Sequence, residues 1–423
     1  MKRTMERVDV LEFFSGIGGL HYALERSGVP HRVVQAFDVD DSAVRTYRHN
    51  HRTTTVSTKN IVSLKSSDLR ALAADCWLLS PPCQPHTRQG LQLGNSDSRS
   101  SALVHLIDLL DTGEAELLPR TLLLENVVGF ESSSVRRRLY HVLVGRGYSV
   151  RELWASPAQI GVPNQRTRYF LLASMRSVPT QSSTAAVVFD RPPEAPMSSF
   201  TPLDPAALEA ACMAGERVAA PRGEVDVATQ QACEPLSSYL VAPPALVVHD
   251  TPTERAPQAE AETDGETLVH GAAVAEHILE RYGQAMDLVG RHSRRSCCFT
   301  KNYSRYIKGT GSVVCEGVVD GAALPRHDEE KSLEALRPLR PRFFLPREVA
   351  NLHGFPPHFA FPPEVGVRKQ YELLGNSLSV QVVAVLLRYL LLPSSDSAAG
   401  SAADATPVAA PRGQRILCAL VEE

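Results

Sequence analysis

Short apolar runs, each closing on a polar turn, constrain this chain more than any other feature. Residues 8–14, 33–37, 76–80, 121–127 and 169–174 are such runs. Between several of them lie stretches with helical spacing, at 18–26, 42–50, roughly 99–112 and 134–146. Strands that alternate with helices predict an α/β fold with a mostly parallel sheet, covered on both faces, because parallel strands need crossover connections. In open sheets of this kind, ligands sit outside the carboxyl ends of the strands. The turns that close the apolar runs are therefore where chemistry is expected.

Those turns carry distinctive residues. Phe14-Ser15-Gly16-Ile17-Gly18-Gly19 follows the first run. Such a glycine turn lets backbone N–H groups approach a ligand at a helix N-terminus, though a plain tight turn has the same composition. Asp38 ends the next run, twenty residues after Gly18, and Val39-Asp40 follows. That is where an acid commonly hydrogen-bonds a ribose hydroxyl, which points to an adenosine cofactor. Pro81-Pro82-Cys83-Gln84 follows the run 76–80. The prolines stiffen the loop around the cysteine. A free thiol, with a pKa near ~8.5, needs a cationic helper to act as a nucleophile. Arg88, Arg166 and Arg168 are the candidates; the alternative is a buried structural thiol.

Glu125 follows three leucines and leads Asn126-Val127. Burial there would raise its pKa and let it hold a proton near neutrality; the alternative is a turn cap. A thiolate and a carboxylic acid facing one pocket suit covalent attack on an electron-poor ring with concurrent protonation. Arg166 and Arg168 open the next run and share one face at period two. Gly375-Asn376-Ser377 opens a helix beginning near Ser379, where the polar residues either cap it or return to the cofactor edge. From Arg294 to Lys301, continued by Tyr303, Tyr306 and Lys308, positive charge mixes with rings. That mixture suits phosphates and stacked bases, or else a solvated face.

The remaining sequence bounds these readings. The chain of 423 residues is 43% hydrophobic and 22% charged with net charge −3, so a polyanion partner needs a local basic surface. Eight cysteines occur with no CxxC pair, which predicts no metal site, no disulfide framework and a reducing compartment. The charged N-terminal residues run directly into a strand, predicting no signal peptide, no membrane span, and a cytoplasmic or nuclear protein. A core is expected over 8–176, a target-recognition region over 177–335 with a disordered insert near 245–270, a return to the core over 336–392, and a low-complexity tail over 393–423.

In its order of motifs the chain resembles the cytosine carbon-5 methyltransferase family. Phe14 to Gly19 looks like the family's S-adenosyl-L-methionine loop, Pro81-Pro82-Cys83-Gln84 its catalytic loop and Glu125-Asn126-Val127 its acid motif. Gln165-Arg166-x-Arg168 and Gly375-Asn376-Ser377 look like its later signatures. Within the family, Cys298-Phe299-Thr300-Lys301-x-Tyr303, Gly309-Thr310-Gly311-Ser312 and Asn351-Leu352-His353-Gly354-Phe355-Pro356-Pro357 are similar to the tRNA-Asp cytosine-38 methyltransferase group. The resemblance implies a Rossmann-like methyltransferase core with a smaller target-recognition domain. It implies Cys83, Glu125, Arg166 and Arg168 as catalytic residues. It implies S-adenosyl-L-methionine lined by Phe14, Ser15, Gly16, Ile17, Gly18, Asp38, Val39, Asn60, Ile61, Pro81, Asn376 and Ser377. It implies a tRNA substrate touched by Gln84, Arg88, Arg295, Cys298, Phe299, Thr300, Lys301 and Tyr303, weak DNA binding at most, and a monomer. His86, Val128 and Asn60 depart from the group's usual Phe, Lys and acid. Other readings are a DNA cytosine methyltransferase, a non-catalytic RNA-binding protein on the same scaffold, and a dinucleotide oxidoreductase. The last leaves the cysteine–glutamate pair unexplained.

Overall fold

The computed structural model describes residues 7–82, 101–175, 200–213, 227–241, 274–317, 324–325 and 331–392. Cys83, Gln84, His86 and Arg88 lie outside the described residues, as do the expected insert and tail.

Eight strands form one sheet: β1 (Val8–Phe13), β2 (His31–Phe37), β3 (Val56–Ser57), β4 (Cys76–Leu79), β5 (Thr121–Val127), β6 (Ser149–Ala155), β7 (Arg168–Ser174) and β8 (Thr201–Pro202). Their order is β3-β2-β1-β4-β5-β7-β6-β8. Strands β3 to β5 pair in parallel, as the alternation predicts. All four residues of β4 and Leu122, Leu123 and Leu124 of β5 are buried, which is what a strand covered on both faces requires. Each leucine so buried contributes about 2 kcal/mol of apolar transfer.

Two apolar layers follow from strand alternation. Val10, Leu78 and Leu123 face one layer; Leu11, Trp77, Leu122 and Leu124 face the other. The first layer takes α1 (Gly19–Ser27) with Ala43 of α2 (Asp41–Asn50), whereas Leu69 of the short α3 (Ser66–Leu72) belongs to the second. The second takes α4 (Ser101–Thr112) and α5 (Ser134–Gly145). The Asp40 side chain caps α2 by accepting from Ala43 N at 3.0 Å, and Ser133 caps α5 through Arg136 N at 3.1 Å.

β7 breaks the parallel pattern. It runs antiparallel to both β5 and β6, with Glu125 opposite Phe170 and Val127 opposite Arg168. The start of β7 therefore lies beside the end of β5, which brings the arginines to the acid. β6 carries no clear strand signal in the sequence because Arg151 and Glu152 interrupt its apolar pattern. Glu152 is nonetheless buried, taking a bidentate ion pair from Arg136 and a hydrogen bond from the Tyr169 hydroxyl.

Beyond α6 (Pro205–Met213), α7 (Val227–Ala232) and α8 (Glu276–Tyr282) stands a three-stranded sheet of β9 (Asp287–Gly290), β10 (Ser312–Cys315) and β11 (Pro341–Phe343). After α9 (Leu333–Leu336), the chain closes with α10 (Pro346–His353), α11 (Val367–Asn376) and α12 (Val380–Leu391). The apolar layer around Val10 and Leu123 continues into Leu288, Val313 and Phe344, so both sheets share one core. The span Val367–Leu391 is long and apolar enough to cross a membrane by length and composition, yet it is mostly buried within this core. Ser377 to Ser379 separates its two helices, and Ser379 caps α12 through Val382 N at 3.4 Å.

Candidate active site

A cleft of about 520 Å³ opens at the carboxyl edge of the large sheet. Phe14, Ser15, Gly16, Ile17, Asp38, Val39, Asn60, Ile61, Pro81, Asn376 and Ser377 all line it. Gly18 does not. It takes a left-handed φ of 88°, and an added Cβ would meet the His51 ring at 2.7 Å, so glycine here serves the packing behind the turn. Asp38 holds the turn from the other side, accepting from Gly16 N at 2.7 Å and from Asp40 N at 2.9 Å. Burial raises its pKa against those two donors. Both Asp38 oxygens thus accept from the backbone, and the side chain still lines the cleft with acceptor capacity left over. Asn60 uses its side chain to accept from Val62 N at 3.1 Å, which shapes the turn carrying Ile61.

At the other end of the cleft, Glu125 is 6% exposed. Ser80 Oγ donates to its Oε2 at 3.1 Å, and Arg168 Nε stands 3.5 Å from its Oε1. Burial pushes the Glu125 carboxyl above the usual range, opposed by Arg168, Arg166 and Ser80. The Ser80 contact was not singled out in sequence; its only signal is its place before Pro81. Asn126 ties the acid strand to the proline turn through Nδ2 to Pro81 O at 3.4 Å.

Arg166 lines the cleft and directs most of its guanidinium to backbone carbonyls. It is 3% exposed, and its guanidinium donates to Phe299 O at 2.9 Å, to Gly375 O at 3.1 Å and to Ser377 O. One side chain thereby fastens the β7 entry, the 298–300 segment and the 375–377 turn together. Gly375 completes the junction: a Cβ there would stand 2.1 Å from Lys301 N. Contrary to the sequence expectation, Gly375 and Asn376 end α11 rather than open a helix, and Ser377 caps it.

The basic segment divides in two. Cys298 Sγ accepts from Arg166 at 3.3 Å and Arg168 at 3.7 Å. Burial alone would raise that thiol, but the two guanidiniums outweigh it and lower its pKa. Phe299 and Tyr303 are core residues at 1% and 3% exposure, packed edge to face 4.9 Å apart. Their rings offer no face to a substrate, which corrects the stacking role expected for them. Arg295 is likewise engaged, 2.8 Å from Asp287 of β9. Thr300 anchors the segment by donating its N–H to Thr310 O at 2.9 Å. Lys301 alone among these residues lines the cleft.

Among the described residues, His21, Glu25 and His51 form one cluster of metal-ligand type. The two rings stack at 3.9 Å with planes 5° apart, so their in-plane lone pairs run parallel and do not converge on a common point.

A mostly parallel sheet with a glycine turn at its carboxyl edge, sharing one cleft with a buried acid and its arginines, defines a Rossmann-like enzyme. The family model described as C-5 cytosine-specific DNA methylase matches residues 8–391, and the chain belongs to that family. It is 36% identical over 403 residues to the tRNA (cytosine(38)-C(5))-methyltransferase of Rattus norvegicus, covering 91% of this chain and 100% of the relative. It is 32% identical over 395 residues to the DNA (cytosine-5)-methyltransferase of Dictyostelium discoideum, covering 93% and 96%. The solved S. pombe Dnmt2 methyltransferase superposes with a TM-score of 0.63 at 29% identity, covering 91% of this chain and 98% of that one.

Proposed function

We propose that the protein transfers a methyl group from S-adenosyl-L-methionine to carbon 5 of cytosine in tRNA, with the anticodon-loop cytosine of tRNA-Asp as target. The observation that carries the reading is the buried Glu125, held by Ser80 and Arg168 in the cleft that also contains the glycine turn. The similarity to tRNA cytosine-38 enzymes over nine-tenths of the chain supports the choice of RNA.

The cleft fits the cofactor. Ser15 Oγ is buried without a hydrogen-bond partner among the described residues, ready for a polar ligand group. Val39 is 66% exposed on the cleft wall, an apolar surface suited to a purine ring. Asn376 and Ser377 close the opposite side. When bound there, S-adenosyl-L-methionine supplies an electrophilic methyl group.

The target cytosine must leave its stack to enter the cleft. In this reading, Cys83, which follows Pro82 in the chain, attacks carbon 6. Glu125 in its acid form donates to ring nitrogen 3 and accepts from the exocyclic amine, stabilising the charge that develops on the ring. Carbon 5 thereby becomes nucleophilic enough to take the methyl group. A base then removes the carbon 5 proton, and elimination of the Cys83 thiolate restores the aromatic ring. Arg168 holds the Glu125 carboxyl in position, while Arg166 holds the surrounding backbone.

The test is transfer of tritiated methyl to matched samples of tRNA-Asp and duplex DNA, with Cys83→Ala alongside. Label in tRNA-Asp alone, abolished in the variant while cofactor still binds, is the expected result. Label in duplex DNA alone would assign the substrate to DNA. Near-normal turnover by Cys83→Ala would refute the covalent scheme.

A further inference from the structure

With Phe299 and Tyr303 buried, Tyr306 is the ring that the basic segment presents to solvent. It is 53% exposed, more than any other described phenylalanine, tyrosine or tryptophan. The Arg305 guanidinium lies over it, 5.4 Å from the ring centre. Lys301, Arg305 and Lys308 are exposed on the same loop. None of them pairs with a carboxylate among the described residues, and residues 300–310 contain no acid at all. The neighbouring arginines differ: Arg291 faces Glu316 at 3.4 Å, and Arg342 faces Glu348 at 2.8 Å.

The loop is also built to hold that ring still. Tyr306 N donates to Asn302 O at 3.1 Å, Arg305 N donates to the same oxygen at 3.0 Å, and the Thr310 hydroxyl donates to Tyr306 O. Ser304 takes the left-handed region at φ 67°, which turns the chain tightly. Below, the Tyr303 hydroxyl donates to Ser312 O at 2.7 Å and accepts from Phe344 N at 2.9 Å, locking the loop to the small sheet. An exposed ring on a backbone this constrained has already met part of the ordering cost of binding a flat ligand. The loop begins at Lys301, on the cleft wall.

We infer that Tyr306 stacks on an unpaired base beside the one being methylated, while Lys301, Arg305 and Lys308 hold the flanking phosphates. Unpaired bases of an RNA loop expose a π face, whereas a duplex hides its faces in the stack, so the platform selects a loop over a helix. The inference rests on the tRNA reading above and names the surface that would grip that substrate.

The experiment uses the full chain and the variants Tyr306→Phe, Tyr306→Leu and Tyr306→Ala. Dissociation constants are measured for a tRNA-Asp anticodon stem-loop and for a fully paired RNA duplex of equal length. S-adenosylhomocysteine binding and thermal melting establish that each variant is folded. Base–aromatic stacking of ~1–3 kcal/mol corresponds to roughly 5- to 150-fold in affinity. Loss of about tenfold or more in stem-loop affinity is expected for Leu and Ala, with Phe close to wild type and duplex affinity unchanged. A 2-aminopurine base next to the target cytosine should be quenched by wild type and by Phe, but not by Leu or Ala. Stem-loop affinity unchanged in Leu and Ala overturns the inference, as does an equal loss for loop and duplex. Methyl transfer by the wild type and by the three variants is scored separately. Tyr306-dependent loop binding without transfer removes the enzymatic reading and leaves this one, and transfer indifferent to Tyr306 does the reverse.

Discussion

Glu125 shows how two opposing forces set one proton. Burial favours the neutral acid, while Arg168 and Arg166 favour the carboxylate; burial prevails, and the acid form persists to higher pH than on an exposed glutamate. In the proposed mechanism kcat then falls on the alkaline side as Glu125 ionises. Glu125→Gln should lower kcat by about 10²- to 10⁴-fold and abolish that limb, with cofactor binding retained. Comparing kcat against pH for the two proteins checks this, and an alkaline limb surviving in the glutamine variant would assign it to another group. Glu125 was legible in sequence because a carboxyl placed straight after Leu122-Leu123-Leu124 has few reasons to be there. Phe299 and Tyr303 were misread because a ring within a basic run looks the same whether it faces solvent or core. Only the packing of Phe344 against them decides it.

At the scale of elements, the junction of α11 with the 298–301 segment is the tightest joint in the site. Gly375→Ala drives a methyl group into the backbone of Thr300 and Lys301, at 2.2 and 2.1 Å, where no flexible side chain can yield. Overpacking of this kind costs about 1–3 kcal/mol. Lower thermal stability should accompany a weaker hold on the cofactor, since Asn376 and Ser377 move with that backbone; melting and S-adenosylhomocysteine titration report the two effects. A variant matching wild type in both would show that the joint yields freely. The parallel strands β1, β2, β4 and β5 were legible because continuous apolar runs between turns leave little choice. β6 was hidden by Glu152, whose partners Arg136 and Tyr169 are distant in sequence, and α11 was hidden because it ends in a motif that also resembles a helix start.

The molecule as a whole carries a buried acid that the site does not use. Glu12 in β1 is fully buried, and its pKa is pushed up to about 8, chiefly by burial with Glu25 adding to it. Its folded-state pKa lies above the unfolded value, so its contribution is fully present below about pH 4.5 and is lost as pH rises through about 8. His21, lowered to about 2 by burial and the neighbouring His51 and His31, acts in the opposite sense at lower pH, between about 2 and its unfolded value near 6.5. Glu12→Gln removes the first effect and leaves His21 in place, 3.9 Å from the substituted group. Its melting temperature should gain on wild type steadily from pH 5 to pH 8, and a difference independent of pH would exclude this account.

The packing of α12 on α1 also sets an order of events during synthesis. The face of the sheet bearing Val10, Leu78 and Leu123 is covered in part by Val383, Leu386 and Leu387. Those residues leave the ribosome some 200 positions after β7, which at ~5–20 residues per second is a delay of roughly 10–40 seconds. Through that interval the face of the nascent sheet that carries α1 lacks the second helix of its cover. The last described helix thus covers apolar surface that the growing polypeptide would otherwise offer to chaperones.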